Sequence, residues 1–278
     1  MNPNQEQIDF WNGPRGAQWV ADQELLDRQL APFGEAALRA AQLAPGERVI
    51  DIGCGCGGAT LAVAAAVGAQ GSVLGVDISR PMLARAAERA AALPYVRFVC
   101  SDATTYAFDG QANCLFSRFG VMFFADPRGA FTHLRRALVP GGRLAFVCWR
   151  ALAENEWMSV PITAVGTVVP PTPAQPDAPG PFAFADAARV RGILESSGFQ
   201  RVVFAPFDHI MNLGNGRGLD VAAAEAVSLG PAARMLLEAD AATKARAESA
   251  VRAALTPYVR EQDVPLRAAT WIVTASAT

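Results

Sequence analysis

Charge is scarce in this chain. Only 18% of its 278 residues are Asp, Glu, Lys or Arg, and the formal net charge is −2. The basic residues are scattered and form no stripe, so a nucleic-acid partner is not expected. Long hydrophobic runs are missing too. The most apolar window, residues 59–67, is far too short to span a bilayer. The opening residues, Met1-Asn2-Pro3-Asn4-Gln5-Glu6, show no basic stretch leading into an apolar one, so neither a secretory leader nor membrane insertion is expected. Cysteines number five, Cys54, Cys56, Cys100, Cys114 and Cys148. An odd count, mostly inside expected strands, suits a reducing cytoplasm better than a disulfide framework. Cys54 and Cys56 have no second cysteine pair or histidine cluster beside them in sequence, so no metal site is expected there and small residues in a glycine turn are the better reading. No internal repeat is present.

What the chain does have is apolar content, 51% of residues, enough for a well-buried core. The length allows one large α/β domain with insertions. Residues 1–40 read as amphipathic helix, with Trp11, Trp19, Leu25, Leu26 and Leu30 near helical spacing and Pro32-Phe33-Gly34 interrupting the run. Strand patterns at 48–52, 72–76, 96–100, 113–117 and 143–149 then alternate with helical ones at 59–67, 81–92 and 130–138. Ser79 is placed to cap the second of these helices, and Pro140-Gly141-Gly142 to form the turn before the fifth strand. Such alternation predicts a parallel sheet with helices on both faces. After Trp149 the rhythm breaks. Residues 151–170 are mixed and partly helical, 170–181 form a proline-rich surface loop or hinge, and 186–197 a capped helix ended by Gly198. A sixth strand at 201–207, a long helical stretch at about 219–259 and a last strand at 268–275 complete the chain.

The richest segment is Val49-Ile50-Asp51-Ile52-Gly53-Cys54-Gly55-Cys56-Gly57-Gly58. Apolar residues lead into a glycine cluster, and a helix pattern follows at once. Glycines let the backbone turn sharply and approach a ligand, and the helix N-terminus offers unpaired N–H groups. Gly53, Gly55 and Gly58 even satisfy G-x-G-x-x-G, so a nicotinamide dinucleotide and an oxidoreductase activity have to be weighed. Asp51 tilts the balance. A carboxylate two residues before the first glycine would repel a pyrophosphate but attract a cationic sulfonium ligand with an amino-acid tail. Asp77, ending the second strand, suits a ribose diol in either class of ligand. Asp102, after the third strand, is placed to accept from the exocyclic amine of adenine. Any one of these acids reads equally well as a cap or turn residue. Three acids after three successive strands do not.

On these residues the chain resembles the class I S-adenosylmethionine-dependent methyltransferases. It is most similar to the branch with the ubiquinone/menaquinone-biosynthesis and many small-molecule methyltransferases, specifically over about residues 45–150. The resemblance implies a Rossmann-like, mostly parallel seven-stranded sheet with an antiparallel last strand and helical lid insertions. Its expected parts are an N-terminal helical lid at 1–40, a cofactor-binding core at 41–150, a lid or hinge at 151–185, and the end of the sheet at 186–278 carrying a helical insertion at about 208–262. It also implies S-adenosyl-L-methionine as cofactor, S-adenosyl-L-homocysteine as product, and a small, fairly apolar organic acceptor. The methionine part is implied to lie on Asp51, Gly53, Cys54 and Gly55, the ribose on Asp77, and the adenine beside Ile78 and Met82 with its amine at Asp102 next to Ala103. The stretch from Ser117 and Arg118 to Pro127 resembles the floor of the methyl-transfer pocket. One departure is that many relatives have an aspartate where the fourth strand begins. Here the residue is Asn113, which cannot ionise and is given no acid–base role.

Methyl transfer is an in-line displacement that asks mainly for alignment and exclusion of water, and for a general base only if the acceptor must lose a proton. Of two histidines, His133 falls in a helix and reads as a packing residue, while His209, after the sixth strand, is the one candidate base or else a solvated loop residue. Arg118 can orient an acidic substrate, touch the cofactor carboxylate or pair with a nearby acid. Trp11, Trp19, Phe119, Phe123, Trp149 and Trp157 line an apolar acceptor pocket or simply pack in the core. A methyltransferase-like fold with a cyclase or pure binding role is the remaining alternative. Which atom receives the methyl group, and the oligomeric state, are not legible.

Overall fold

The structure is a computed structural model and describes residues 4–170 and 178–277. The chain divides into two compact units. The first comprises Met1–Cys148, Ala178–Phe207 and Thr270–Thr278, and the second Trp149–Asp177 and Asp208–Ala269.

Three helices open the first unit, α1 (Gln5–Asn12), α2 (Pro14–Ala21) and α3 (Gln23–Ala41). The alternating part follows as β1 (Arg48–Ile52), α4 (Gly58–Val67), β2 (Ser72–Asp77), α5 (Arg80–Arg89), β3 (Val96–Cys100), β4 (Ala112–Arg118), α6 (Pro127–Arg135) and β5 (Leu138–Trp149). Beyond α7 (Glu156–Gly166) come α8 (Ala187–Ser196), β6 (Phe199–Leu213), α9 (Leu219–Ser228), α10 (Gly230–Met235), α11 (Ala241–Leu255) and β7 (Val264–Ala277).

The seven strands form one sheet in the order β3-β2-β1-β4-β5-β7-β6. Strands β1 to β5 pair in parallel. Along β6 and β7, Ser276 meets Gln200 and Thr270 meets Phe207, one number falling as the other rises, so β7 runs antiparallel. The central strands are apolar on both faces, as a doubly covered sheet requires. Val49, Ile50 and Ile52 are buried in β1, and residues Leu144 to Cys148 of β5 are wholly buried. On one face Phe131 of α6 packs among Phe146, Phe184 and Phe199, with ring centroids 6.0–6.3 Å apart. Chain order reverses between β1 and β4. A ligand crevice outside the carboxyl ends of the strands is expected at such a switch point.

Several local expectations need correction. Helix α3 runs straight through Pro32, because Leu30, Phe33, Ala36 and Ala37 form one buried face whose packing outweighs the lost backbone hydrogen bond. Ser79 does precede α5 but does not cap it, since its hydroxyl donates to the Trp11 carbonyl at 2.7 Å. Pro140-Gly141-Gly142 lies inside β5, where a register shift absorbs it: Leu138 faces Ala112, but Arg143 faces Cys114. Strands β6 and β7 extend well beyond their expected 201–207 and 268–275. The stretch 219–259 is three helices, broken at Gly230 (φ +69°) and restarted where Asp240 caps α11 through the Thr243 N–H. Most of the proline-rich 170–181 stretch lies outside the described residues.

The second unit has its own apolar cluster, in which Val165 of α7, Ala222 of α9, Val251 and Leu255 of α11 and Leu266 of β7 are all buried. No helix among the described residues is long and apolar enough to cross a membrane.

Candidate functional site

The glycine turn lies between β1 and α4, at the switch point of the sheet. Gly53 donates to the Val76 carbonyl of β2 at 2.8 Å. Its φ of +68° suits glycine, and a Cβ there would lie 2.7 Å from the Gly120 Cα. The segment after β4 is thereby brought against the glycine turn. At Gly55 (φ +54°) a Cβ would meet the Met82 methyl at 2.9 Å, so this side of the turn is kept open by the lack of a side chain.

Asp51 is 1% exposed. Its Oδ2 accepts from Thr60 Oγ1, in the first turn of α4, at 2.6 Å. Oδ1 has no partner although it is fully buried. Burial pushes the carboxyl up to about 7, against the opposing effects of the Thr60 hydroxyl and the Arg118 charge. An orphan carboxylate oxygen under a glycine turn is an acceptor waiting for a donor.

Asp77, at the tip of β2, accepts from the Gly55 N–H and the Ser79 N–H, both at 2.8 Å. Burial raises its pKa, and these backbone donors oppose the rise. Asp102, after β3, accepts from the Thr104 N–H and hydroxyl on one oxygen and from Asn4 Nδ2 at 2.7 Å on the other. Asn4 Oδ1 in turn accepts from the Ala125 N–H at 3.1 Å. Ile78 and Met82 lie between Asp77 and Asp102 along the chain and Ala103 directly after Asp102, with Met82 and Ala103 buried.

Two expected site residues are held close to the glycine turn. The Ser117 hydroxyl donates to the Ile52 carbonyl at 2.7 Å and accepts from the Gly120 N–H at 3.1 Å. Cys54 is buried, and its thiol is held well above its ordinary pKa by burial. Asn113 likewise accepts from the Arg48 N–H at 2.9 Å, and His133 Nε2 bonds the Tyr106 carbonyl at 2.8 Å.

Sequence reasoning missed the acid that Arg118 pairs with. Asp27, on α3, accepts from Arg118 at 3.1 Å, Arg89 at 2.8 Å and Gln23 at 2.7 Å. Arg89 also donates to the Cys56 carbonyl of the glycine turn at 2.6 Å. Also missed was the clasp made by the N-terminal helices. Asn12 donates to the Ile78 carbonyl at 2.8 Å and accepts from the Arg80 N–H at 3.0 Å. Neither partnership leaves a periodic trace in sequence.

The aromatic residues do not form one group. In the first unit Trp11 packs edge-on against Trp19 and Phe123, at 5.6 and 5.7 Å, and Phe119 against Phe33 at 5.8 Å. In the second unit Trp149 packs against Trp157 at 5.0 Å. His209 lies inside β6, not in a loop after it, and lines an open cavity of about 660 Å³ in the second unit with Arg150, Asp208 and Arg267. Arg150 pairs there with Asp208 at 2.9 Å.

A glycine turn at the switch point of a parallel sheet, with an acid at or just beyond the carboxyl end of each of three adjacent strands, is the build of a Rossmann-like nucleoside-binding site. Residues 49–142 match the family model described as a methyltransferase domain. Among curated proteins, an aklanonic acid methyltransferase of Streptomyces sp. (strain C5) is 34% identical over 118 residues, 41% of this chain and 54% of that one. A demethylmenaquinone methyltransferase of Staphylococcus aureus is 35% identical over 98 residues, 35% of this chain and 41% of that one. The chain thus spans only about half of these relatives. A phosphoethanolamine N-methyltransferase of Haemonchus contortus, solved with S-adenosyl-L-methionine, shares the fold at a TM-score of 0.57 and 17% identity, over 97% of this chain and 59% of that one.

Proposed function

We propose that this chain is an S-adenosyl-L-methionine-dependent methyltransferase acting on a small, apolar organic acceptor, with S-adenosyl-L-homocysteine as the released product. The observation that carries the reading is the orphan Oδ1 of Asp51, buried beneath a glycine turn that is flanked by the acids of β2 and β3. An ammonium or water-bridged ammonium of an amino-acid tail satisfies it, whereas a pyrophosphate does not. The match of residues 49–142 supports the same choice over a nicotinamide dinucleotide.

On this reading Asp77 accepts from the ribose hydroxyls, Met82, Ile78 and Ala103 flank the base, and Asp102 takes the base's amine alongside Asn4. When bound, the cofactor supplies a methyl group already activated by positive sulfur. The protein aligns the acceptor with that carbon and keeps water out. A general base is needed only if the acceptor loses a proton on attack, and His209 is the candidate for it. By their names the two relatives act on aklanonic acid and demethylmenaquinone. We assign acceptor choice to segments outside residues 49–142.

Titration calorimetry with S-adenosyl-L-homocysteine tests the cofactor. The chain should bind it, and Asp77→Ala should weaken binding by at least tenfold, on the order of the 1.5–3 kcal/mol that hydrogen bonds to a charged group contribute. Unchanged affinity in the variant sinks the assignment. Transfer of labelled methyl to any candidate acceptor tests the activity.

A further inference from the structure

The cavity of the second unit carries a charge pattern that nucleoside binding does not use. Two guanidiniums and an imidazole, those of Arg150, Arg267 and His209, line it against two carboxylates, Glu154 and Asp208. Arg150 stands on a firm base. Its N–H donates to the Ala269 carbonyl at 3.0 Å, and its own carbonyl accepts from the wholly buried Asn155 at 3.2 Å. Its side chain is 19% exposed, held by Glu154 from one side and by Asp208, at 2.9 Å, from the other. Glu154 belongs to the scaffold, since its second oxygen accepts from the Ala151 N–H at 3.2 Å. Asp208 is of another kind. Its side chain is 72% exposed, and an acid so open to water is weakly held by an ion pair. Arg267 is 70% exposed and anchored by Glu156, which accepts from its guanidinium at 2.7 Å and from its N–H at 3.1 Å. That bond holds the Arg267 guanidinium above its ordinary pKa, and the charge of Asp208 adds to the effect. One exposed carboxylate thus lies in the field of two guanidiniums.

We propose that this cavity binds an amphiphilic organic carboxylate, whose charged end takes the place of Asp208 on Arg150 and Arg267 and whose apolar body lies on Ile210. Asp208 is the stand-in that fills the place when the ligand is away. Ile210 follows Asp208 by two residues in β6 and so shares its face of the strand. It lines the cavity with more than half of its surface exposed, an apolar contact beside the charged end. The fork of a guanidinium matches a carboxylate in shape, and one fixed by its neighbours loses little rotamer freedom on meeting it. Exchange of one monoanion for another leaves the pairing of the arginines unaltered. A phosphate dianion is disfavoured, because Glu154 and Glu156 stay in place and repel the added charge. Such a site stands or falls independently of the methyltransferase reading, since all its residues belong to the second unit.

The test titrates the full chain with hexanoate, hexanol, hexylammonium and inorganic phosphate, following the amide resonances of Ala153 and Ile210 by NMR. Wild type should bind hexanoate in the millimolar range and the other three more weakly. Asp208→Asn removes the competing charge but keeps the shape, and should tighten hexanoate binding by about threefold or more, whereas Arg150→Met should weaken it by about tenfold. Should Arg150→Met fail to fold, Arg267→Gln, at an exposed side chain, carries the same test and should weaken binding by about threefold. Unchanged or weaker hexanoate binding in Asp208→Asn overturns the proposal, because Asp208 would then not be a competitor. Equal affinity for hexanol would reduce the site to an apolar patch, and tighter binding of hexylammonium would show that the acids govern it. A preference for phosphate, or no hexanoate binding in either wild type or Asp208→Asn, also overturns it.

Discussion

With the carboxyl of Asp51 pushed up to about 7, the folded chain keeps a proton there that an ordinary aspartate, near 3.8 when unfolded, releases. The native state therefore binds more protons between about pH 4 and pH 7. The stability from this group is present below about 4, is lost as pH rises through 7, and stays lost above it. Glu47 works in the other direction. Its hydrogen bonds to Arg143 lower its pKa, so it stabilises above its unfolded value of 4.5 and stops doing so as pH falls. Asp51→Asn should flatten the decline in urea midpoint between about pH 5 and 8, and an unaltered decline would show that another group titrates. Binding of a cationic tail favours the ionised form. Calorimetry near pH 6 in buffers of different ionisation enthalpy should then register proton release in wild type and none in the variant.

Among the elements, β1 to β3 and α4 were legible almost to the residue. Their signals are local: a five-residue apolar run, a glycine cluster, an alanine-rich stretch. Helix α3 was misjudged at Pro32 because a proline is a local signal and the buried face around Phe33 is a tertiary one. The three acids could be seen because each sits at or just past the carboxyl end of an apolar strand pattern. Asp27 could not, since nothing in an amphipathic helix tells which of its acids will meet arginines 62 and 91 residues further on. The approach of the post-β4 segment to the glycine turn was equally hidden. A Cβ on Gly120 would lie 2.6 Å from the Ile52 carbonyl oxygen and 2.9 Å from Gly53 Cα. Gly120→Ala should therefore cost about 1–3 kcal/mol by urea unfolding, in the range of other overpacked sites, and weaken nucleoside binding as the turn shifts. A variant as stable as wild type would mean that the two segments part without cost.

At the scale of the whole molecule, each unit has an apolar core of its own, and the family match ends at residue 142, before the second unit begins at Trp149. Leu255 is wholly buried in the second unit's cluster. Leu255→Ala should destabilise by roughly 2–5 kcal/mol, seen as a lower urea midpoint, while the affinity for S-adenosyl-L-homocysteine at low denaturant stays within about twofold. A parallel loss of affinity would show that the nucleoside site depends on the second unit's packing.

Asn4 spans two loops with a single amide, donating to Asp102 and accepting from Ala125. On the proposed reading, the adenine amine arrives at a carboxylate that Asn4 already holds. Such a buckle makes entry and exit of the nucleoside wait on a motion of the polypeptide. The ligand's residence time, and with it the ceiling on turnover, would be set by how often the Asn4 amide lets go and not by how firmly the pocket grips.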